Sequence, residues 1–146
     1  MNPLYMQRAL ALAKEAFDEG EVPVGAVIIR NGEIISEGRN RREKGKNALY
    51  HAEIEAIDKA CRALGGWRLW DCELYVTLEP CPMCAGAIVN ARIPKVYFGS
   101  YDTKNGCCGS VVDLFSFKEN FRPECQGGIM EEECQNLIKE FFKKLR

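Results

Sequence analysis

The chain has one histidine, His51, in the triplet His51-Ala52-Glu53, and 30 residues further on comes the run Pro80-Cys81-Pro82-Met83-Cys84. Imidazole and thiolate are both metal ligands, so a fold in which the two segments share an ion must bring them to one point. Both segments read as helix starts. Cysteines three apart at a helix start lie on one face within one turn, and the helix N-terminus favours the thiolate form that binds zinc. Taken singly, each element has a plainer meaning. A lone histidine at a helix start more often caps the helix or lies hydrogen-bonded in the core, and such a cysteine pair serves equally as redox centre, structural zinc site or core. Together His51, Cys81 and Cys84 make a three-ligand set, and zinc takes a fourth. One of the six remaining cysteines, a carboxylate or water fills that place. Water there defines a hydrolytic site, because zinc lowers the pKa of bound water from 15.7 to about 7. Glu53, two residues from His51, is placed to carry the proton without ligating the metal.

A length of 146 residues, 47% of them hydrophobic and 28% charged, suits a single domain spanning 1–146. At this size the core needs neither disulfides nor metal, so a bound metal reads as functional. The longest uncharged apolar stretches, Val22 to Ile29 and Pro80 to Ala91, are far shorter than the roughly 18 residues of a membrane span. The start, Met1-Asn2-Pro3-Leu4, has no basic leader or apolar core of a secretory signal, which predicts a cytoplasmic protein. In that reducing compartment eight cysteines ligate metals or fill cores rather than pair.

A net charge of −1 and a pI near 5.9 make no global case for nucleic-acid binding. Locally the picture differs. Arg39, Arg41, Arg42, Lys44 and Lys46 face only Glu43, and Lys139, Lys143, Lys144 and Arg146 flank the rings of Phe141 and Phe142. Basic groups interleaved with rings hold an unstacked nucleotide strand. On charge alone, however, these are a solvated loop and a C-terminal helix whose cations complement its dipole.

Asn2 before Pro3 predicts a helix cap, with Leu4, Met6, Ala9, Leu10, Ala13 and Phe17 recurring at helical spacing until Gly20. Val22 to Arg30 and Glu33 to about Gly38 read as a hairpin joined by a type I′ turn at Asn31-Gly32. His51 to Leu64 is helical, Leu74 to Leu78 a buried strand, Cys81 to Ala91 a helix, Lys95 to Ser100 a strand and Met130 to Leu145 a helix. This order predicts an α/β fold, one mixed sheet with helices on both faces.

Glu21-Val22-Pro23-Val24-Gly25-Ala26, Leu64-Gly65-Gly66-Trp67-Arg68-Leu69, Leu74 to Cys81 and Met83-Cys84-Ala85-Gly86 closely resemble bacterial tRNA-specific adenosine deaminases. The likeness runs from Leu4 to Phe142, and the separated His-Ala-Glu and Pro-Cys-Pro-Met-Cys elements are a zinc-deaminase signature. The resemblance implies a three-layer α/β/α fold with a central mixed five-stranded sheet, cytidine deaminase-like. It also implies a homodimer with one zinc (Zn2+) per subunit that acts on the tRNA anticodon stem-loop, converting the wobble adenosine to inosine with release of ammonia. His51, Cys81 and Cys84 then match the zinc ligands and Glu53 the acid/base. Asn40, Tyr50, Ala52, Asp102, Lys104, Phe142 and Lys143 become candidate substrate contacts. The chain departs from the family at Asn47-Ala48-Leu49-Tyr50, where Tyr50 puts a ring beside the ligand histidine that would stack on a neighbouring base or narrow the pocket. It departs again at Cys107-Cys108, where small residues are usual and which reads as structural. Cys61 falls on an apolar helix face, and Cys72, Cys125 and Cys134 lack metal spacing.

Two rival functions use the same residues. One is a deaminase of free bases, nucleosides or nucleotides, of guanine, cytosine or cytidine type. The other is a non-catalytic zinc module that binds RNA or protein, which predicts a closed four-ligand site and no task for Glu53.

Overall fold

Alternation along strand β1 (Gly25–Arg30) decides the layering. Ala26 and Ile28 alternate with Val27 and Ile29, and all four are buried, so both faces of the sheet must be covered. The computed structural model, which describes residues 1–117 and 119–145, shows how. Arg146 of the basic tail lies outside the described residues. On one side Ala26 and Ile28 pack with Leu74 and Val76 of β3 (Cys72–Leu78) and with Val96 and Phe98 of β4 (Lys95–Ser100). Helices α2 (Ala52–Leu64) and α3 (Pro82–Ala91) cover them through Ala52, Ala56, Ala60, Ala85 and Ile88. On the other side Val27, Ile29 and Tyr75 meet Met6, Ala9, Leu10 and Leu12 of α1 (Pro3–Asp18) and Cys134 of α4 (Glu131–Lys144). The fold is therefore a three-layer α/β/α arrangement.

The sheet has five strands in the order β2-β1-β3-β4-β5, with β2 at Glu33–Arg39 and β5 at Glu124–Gln126. β1 runs antiparallel to β2 and β3, whereas β3, β4 and β5 are parallel, and α3 makes the crossover between β3 and β4. At the hairpin, Asn31 and Gly32 both take positive φ, 51° and 76°, as a type I′ turn demands. Asn2 caps α1 by accepting a hydrogen bond from the Leu4 amide at 3.0 Å, with Pro3 in the first turn.

Two strand starts and one whole strand differ from the expectation. β1 begins at Gly25 rather than Val22, because Pro23 has no N–H to give a ladder. β3 starts earlier, at Cys72. β5 was invisible to the pattern, since all three of its side chains are exposed and carry no apolar alternation.

Most of the basic run is absorbed by the fold. Arg39 and Lys44 both pair with Glu19, at 2.7 and 2.9 Å, and Arg41 pairs with Glu55. Among the described residues no helix is long and apolar enough to cross a membrane.

Candidate metal centre and substrate pocket

His51 and Cys81 occupy equivalent places, the N-cap positions of α2 and α3, and neither uses its side chain to cap the helix. Both side chains are thus left to face each other where the two helix starts converge. His51 Nδ1 lies 3.6 Å from Cys81 Sγ and 3.5 Å from Cys84 Sγ. For a tetrahedral zinc with ordinary zinc–nitrogen and zinc–sulfur distances, the nitrogen–sulfur edge is about 3.6 Å. Both nitrogen–sulfur edges, measured from Nδ1, therefore have the length that a zinc site needs.

The electrostatics agree. The Cys84 thiol bonded to it, with the His51 ring, holds the Cys81 thiol down to about 4 against the effect of burial. Cys84 is raised, chiefly because it donates to Cys81, and His51 is raised by its contact with the Cys81 sulfur. Of the two sulfurs only Cys81 is thereby biased toward the thiolate that binds a cation, and Cys84 has still to give up its proton to one. Glu53, in the first turn of α2, is only 4% exposed. Burial pushes its carboxyl up to about 7, and the Cys81 sulfur adds to the rise. It does not belong to the ligand cluster, which among the described residues contains only His51, Cys81 and Cys84.

A cavity of about 810 Å³ opens over this centre. Asn40, Ala52, Asp102, Lys104 and Phe142 line it together with His51, Glu53 and Cys81. Asn40 is held at the wall by donating from Nδ2 to the Val22 carbonyl at 3.2 Å and accepting from the Arg42 amide at 3.2 Å. Asp102 Oδ1 accepts the amides of Lys104 and Asn105, both at 3.0 Å, which curls the loop at the cavity rim.

Tyr50 and Lys143 do not line the cavity. The Tyr50 carbonyl accepts the Arg41 amide at 3.0 Å, and the ring is turned over Gly45, with the Arg41 guanidinium 5.8 Å from its centroid. Lys143 sits in the last turn of α4, where it complements the helix dipole. The wall also holds residues that the sequence reading left out as contacts: Val22, Val24, Arg42, Tyr101, Gln135, Ile138 and Lys139. Gln135, Ile138, Lys139 and Phe142 follow the i, i+3, i+4, i+7 spacing of one helix face, a signal that was present in the sequence.

Comparisons with known proteins agree with this geometry. The MafB19-like deaminase model matches residues 2–146. The tRNA-specific adenosine deaminase of Bacillus subtilis (strain 168) is 50% identical over 146 residues, covering 99% of this chain and 91% of that protein. A solved structure from work on A-to-I editing by tRNA:A34 deaminases at the wobble position of transfer RNA superposes with a TM-score of 0.89 and 40% identity, over 93% of this chain and 99% of that one. The guanine deaminase structure from Bacillus subtilis is 42% identical with a TM-score of 0.68, over 84% of this chain and 79% of that one. A histidine and a cysteine pair folded into one tripod, with matches along the chain's whole length, lead to one conclusion: the chain belongs to the MafB19-like deaminase family.

Proposed function

We propose that this protein deaminates adenosine to inosine at the wobble position of a tRNA anticodon, using one zinc held by His51, Cys81 and Cys84. The observation that carries the reading is Glu53, a buried carboxyl raised to about 7 beside a ligand tripod at the floor of an open cavity. Zinc bound there would lower the pKa of a coordinated water and supply hydroxide at neutral pH. Glu53 takes the proton that this ionisation releases. It passes that proton to the ring nitrogen beside the amine-bearing carbon as the nucleophile adds, then takes the proton of the added hydroxyl and hands it to the amine as the carbon–nitrogen bond breaks. Adenosine and water thereby become inosine and ammonia, and the carboxyl ends as it began. A side chain with an ordinary carboxylate pKa would be a weaker proton donor at pH 7.

A wall of loop residues and of α4, rather than a closed pocket, supports a polynucleotide substrate in which the target base is already unstacked. Ala52, Asn40, Asp102, Lys104 and Phe142 are the candidate contacts at that wall. Tyr50 and Lys143 would meet RNA only outside the cavity. A deaminase of free bases is the second reading, favoured by the likeness to the guanine deaminase.

A cytoplasmic location fits eight cysteines that are all free thiols. Pairing of two copies is part of the same proposal. It is supported by Trp67 and Trp70, 49% and 55% exposed, with Arg68 and Arg92 against the Trp67 ring, a composition typical of interface hot spots. Light scattering reports the mass directly. The function is tested by incubating zinc-loaded protein with an anticodon stem-loop bearing wobble adenosine and, separately, with guanine, cytosine, adenosine and cytidine. Inosine and ammonia from the stem-loop are expected, and turnover confined to the small molecules overturns the RNA reading.

A further inference from the structure

Glu79 is a charged residue that the chemistry above does not use. It follows β3, two residues before Cys81, and is 1% exposed. Among the described residues no cation pairs with it. Instead its two oxygens accept four hydrogen bonds, all from the segment 102–110. Oε1 takes the Asp102 amide at 3.1 Å and the Ser110 hydroxyl at 2.5 Å, and Oε2 takes the amides of Cys108 and Ser110 at 3.0 and 3.1 Å. Both ends of the loop are thus fastened to one side chain. Its middle is fitted to the same carboxylate, for a Cβ on Gly106 would collide with the Glu79 carboxyl carbon. The Cys107 amide, donating to the Pro80 carbonyl at 2.9 Å, ties the segment to the chain leading to the metal ligands.

A buried carboxylate is costly to desolvate unless its lone pairs are filled, and four donors fill them. A neutral side chain would bury more cheaply, so the charge needs a reason. The fastened segment supplies that reason. It carries Asp102, Thr103, Lys104 and Asn105 to the cavity wall, beside the tripod's His51 and Cys81.

We propose that Glu79 is a positioning residue for substrate recognition: through the amides of Asp102, Cys108 and Ser110 it holds the 102–110 loop in the shape that receives the nucleotides beside the reacting base. The proposal rests on the RNA reading above. A loop held in its bound shape beforehand binds without the entropic cost of ordering, so Glu79 acts on KM for RNA and leaves the chemical step alone.

Glu79→Gln tests it. At the Oε2 position the new Nε2 donor would oppose the amides of Cys108 and Ser110; at Oε1 it opposes the Asp102 amide, while the Ser110 hydroxyl turns to accept from it. Losing at least one amide bond, and the charge assistance of the others, predicts a KM for the anticodon stem-loop raised about tenfold or more, with kcat within about threefold of wild type. Zinc stays at one ion per chain, and the amides of Asp102, Cys108 and Ser110 exchange with deuterium about tenfold faster or more. Ser110→Ala deletes only the hydroxyl and should move both readouts the same way by about two- to fourfold. It carries the test should Glu79→Gln fail to fold, and unchanged KM and exchange in Ser110→Ala then overturn the proposal. Loss of zinc, or a fall in kcat at constant KM, overturns it in favour of a brace for Cys81. Faster exchange with unchanged KM shows a loop whose shape does not matter to RNA, which also overturns it. Wild-type protein that ignores the stem-loop defeats the RNA reading itself, and the exchange measurement, which needs no substrate, reports on the loop separately.

Discussion

His51 Nδ1 sits 3.5 Å from Cys84 Sγ although the two are 33 positions apart in the sequence, because α2 and α3 start side by side on the same face of the sheet. The apolar packing that brings the helices together consists of residues other than the ligands themselves, Ala52, Ala56, Ala85 and Ile88 among them. Metal and fold should therefore separate. Cys84→Ser, or chelation of the wild type, is expected to remove zinc and abolish turnover while the far-ultraviolet circular dichroism stays native. Wholesale unfolding on chelation would mean that the ion holds the structure up, and would favour the non-catalytic zinc module.

Glu53 is tested by the smallest change available. Glu53→Gln keeps the shape and the burial but has no carboxyl proton to give or take. Zinc content should remain at one per chain while kcat falls by about 10²-fold or more. Metal analysis and single-turnover kinetics on the same sample check this, and near-normal turnover would remove Glu53 from the mechanism.

The central features of the site could be read in the chain because they depend on local spacing. Cysteines at 81 and 84 share a helical turn wherever that helix lies, and Glu53 follows His51 into the next one. The hairpin was equally legible, since Asn31-Gly32 demands positive φ whatever surrounds it. What was not legible depends on long-range pairing. Five clustered cations read on charge alone as a solvated loop, yet Glu19 and Glu55 pair with three of them, and of the five only Arg42 reaches the cavity. Tyr50 is adjacent to a ligand in sequence, but a backbone bond to Arg41 turns its ring over Gly45. Strand β5 escaped notice because a parallel edge of three exposed residues needs only backbone partners.

Acid should expose the Glu19 bridge. The Arg39 hydrogen bond, followed by that of Lys44, lowers the Glu19 carboxyl from 4.5 to about 2. A depressed folded-state pKa contributes stability that is complete above the unfolded value, so this contribution is present above pH 4.5 and disappears as the pH falls toward 2. Glu19→Gln is expected to be less stable than wild type at pH 6, with most of the gap gone at pH 2, where the wild-type carboxyl is about half protonated. Urea midpoints across that range check the sign, and a stability gap that widens on acidification would refute the assignment.

Adjacent phenylalanines in α4 make the sharpest contrast between packing and recognition. Phe141 is 7% exposed and meets the Phe17 ring edge-on at 5.9 Å, whereas Phe142 is 44% exposed and lines the cavity. One side chain closes the α1–α4 seam; the other presents its ring to the cavity, where the RNA reading has it stack on a base. Phe141→Ala should cost about 3 kcal/mol in unfolding free energy, the usual range for deleting a buried ring. Phe142→Ala removes a half-exposed ring and its edge contact with Phe141, so its stability should fall by less, about 1 kcal/mol. Its KM for the stem-loop should rise about tenfold, the value of one base–aromatic stack, while turnover of a free base stays unchanged. Urea unfolding and steady-state kinetics on both variants decide the matter. If Phe142→Ala lost stability at unaltered KM, the ring would belong to the core, and α4 would frame the cavity without touching RNA.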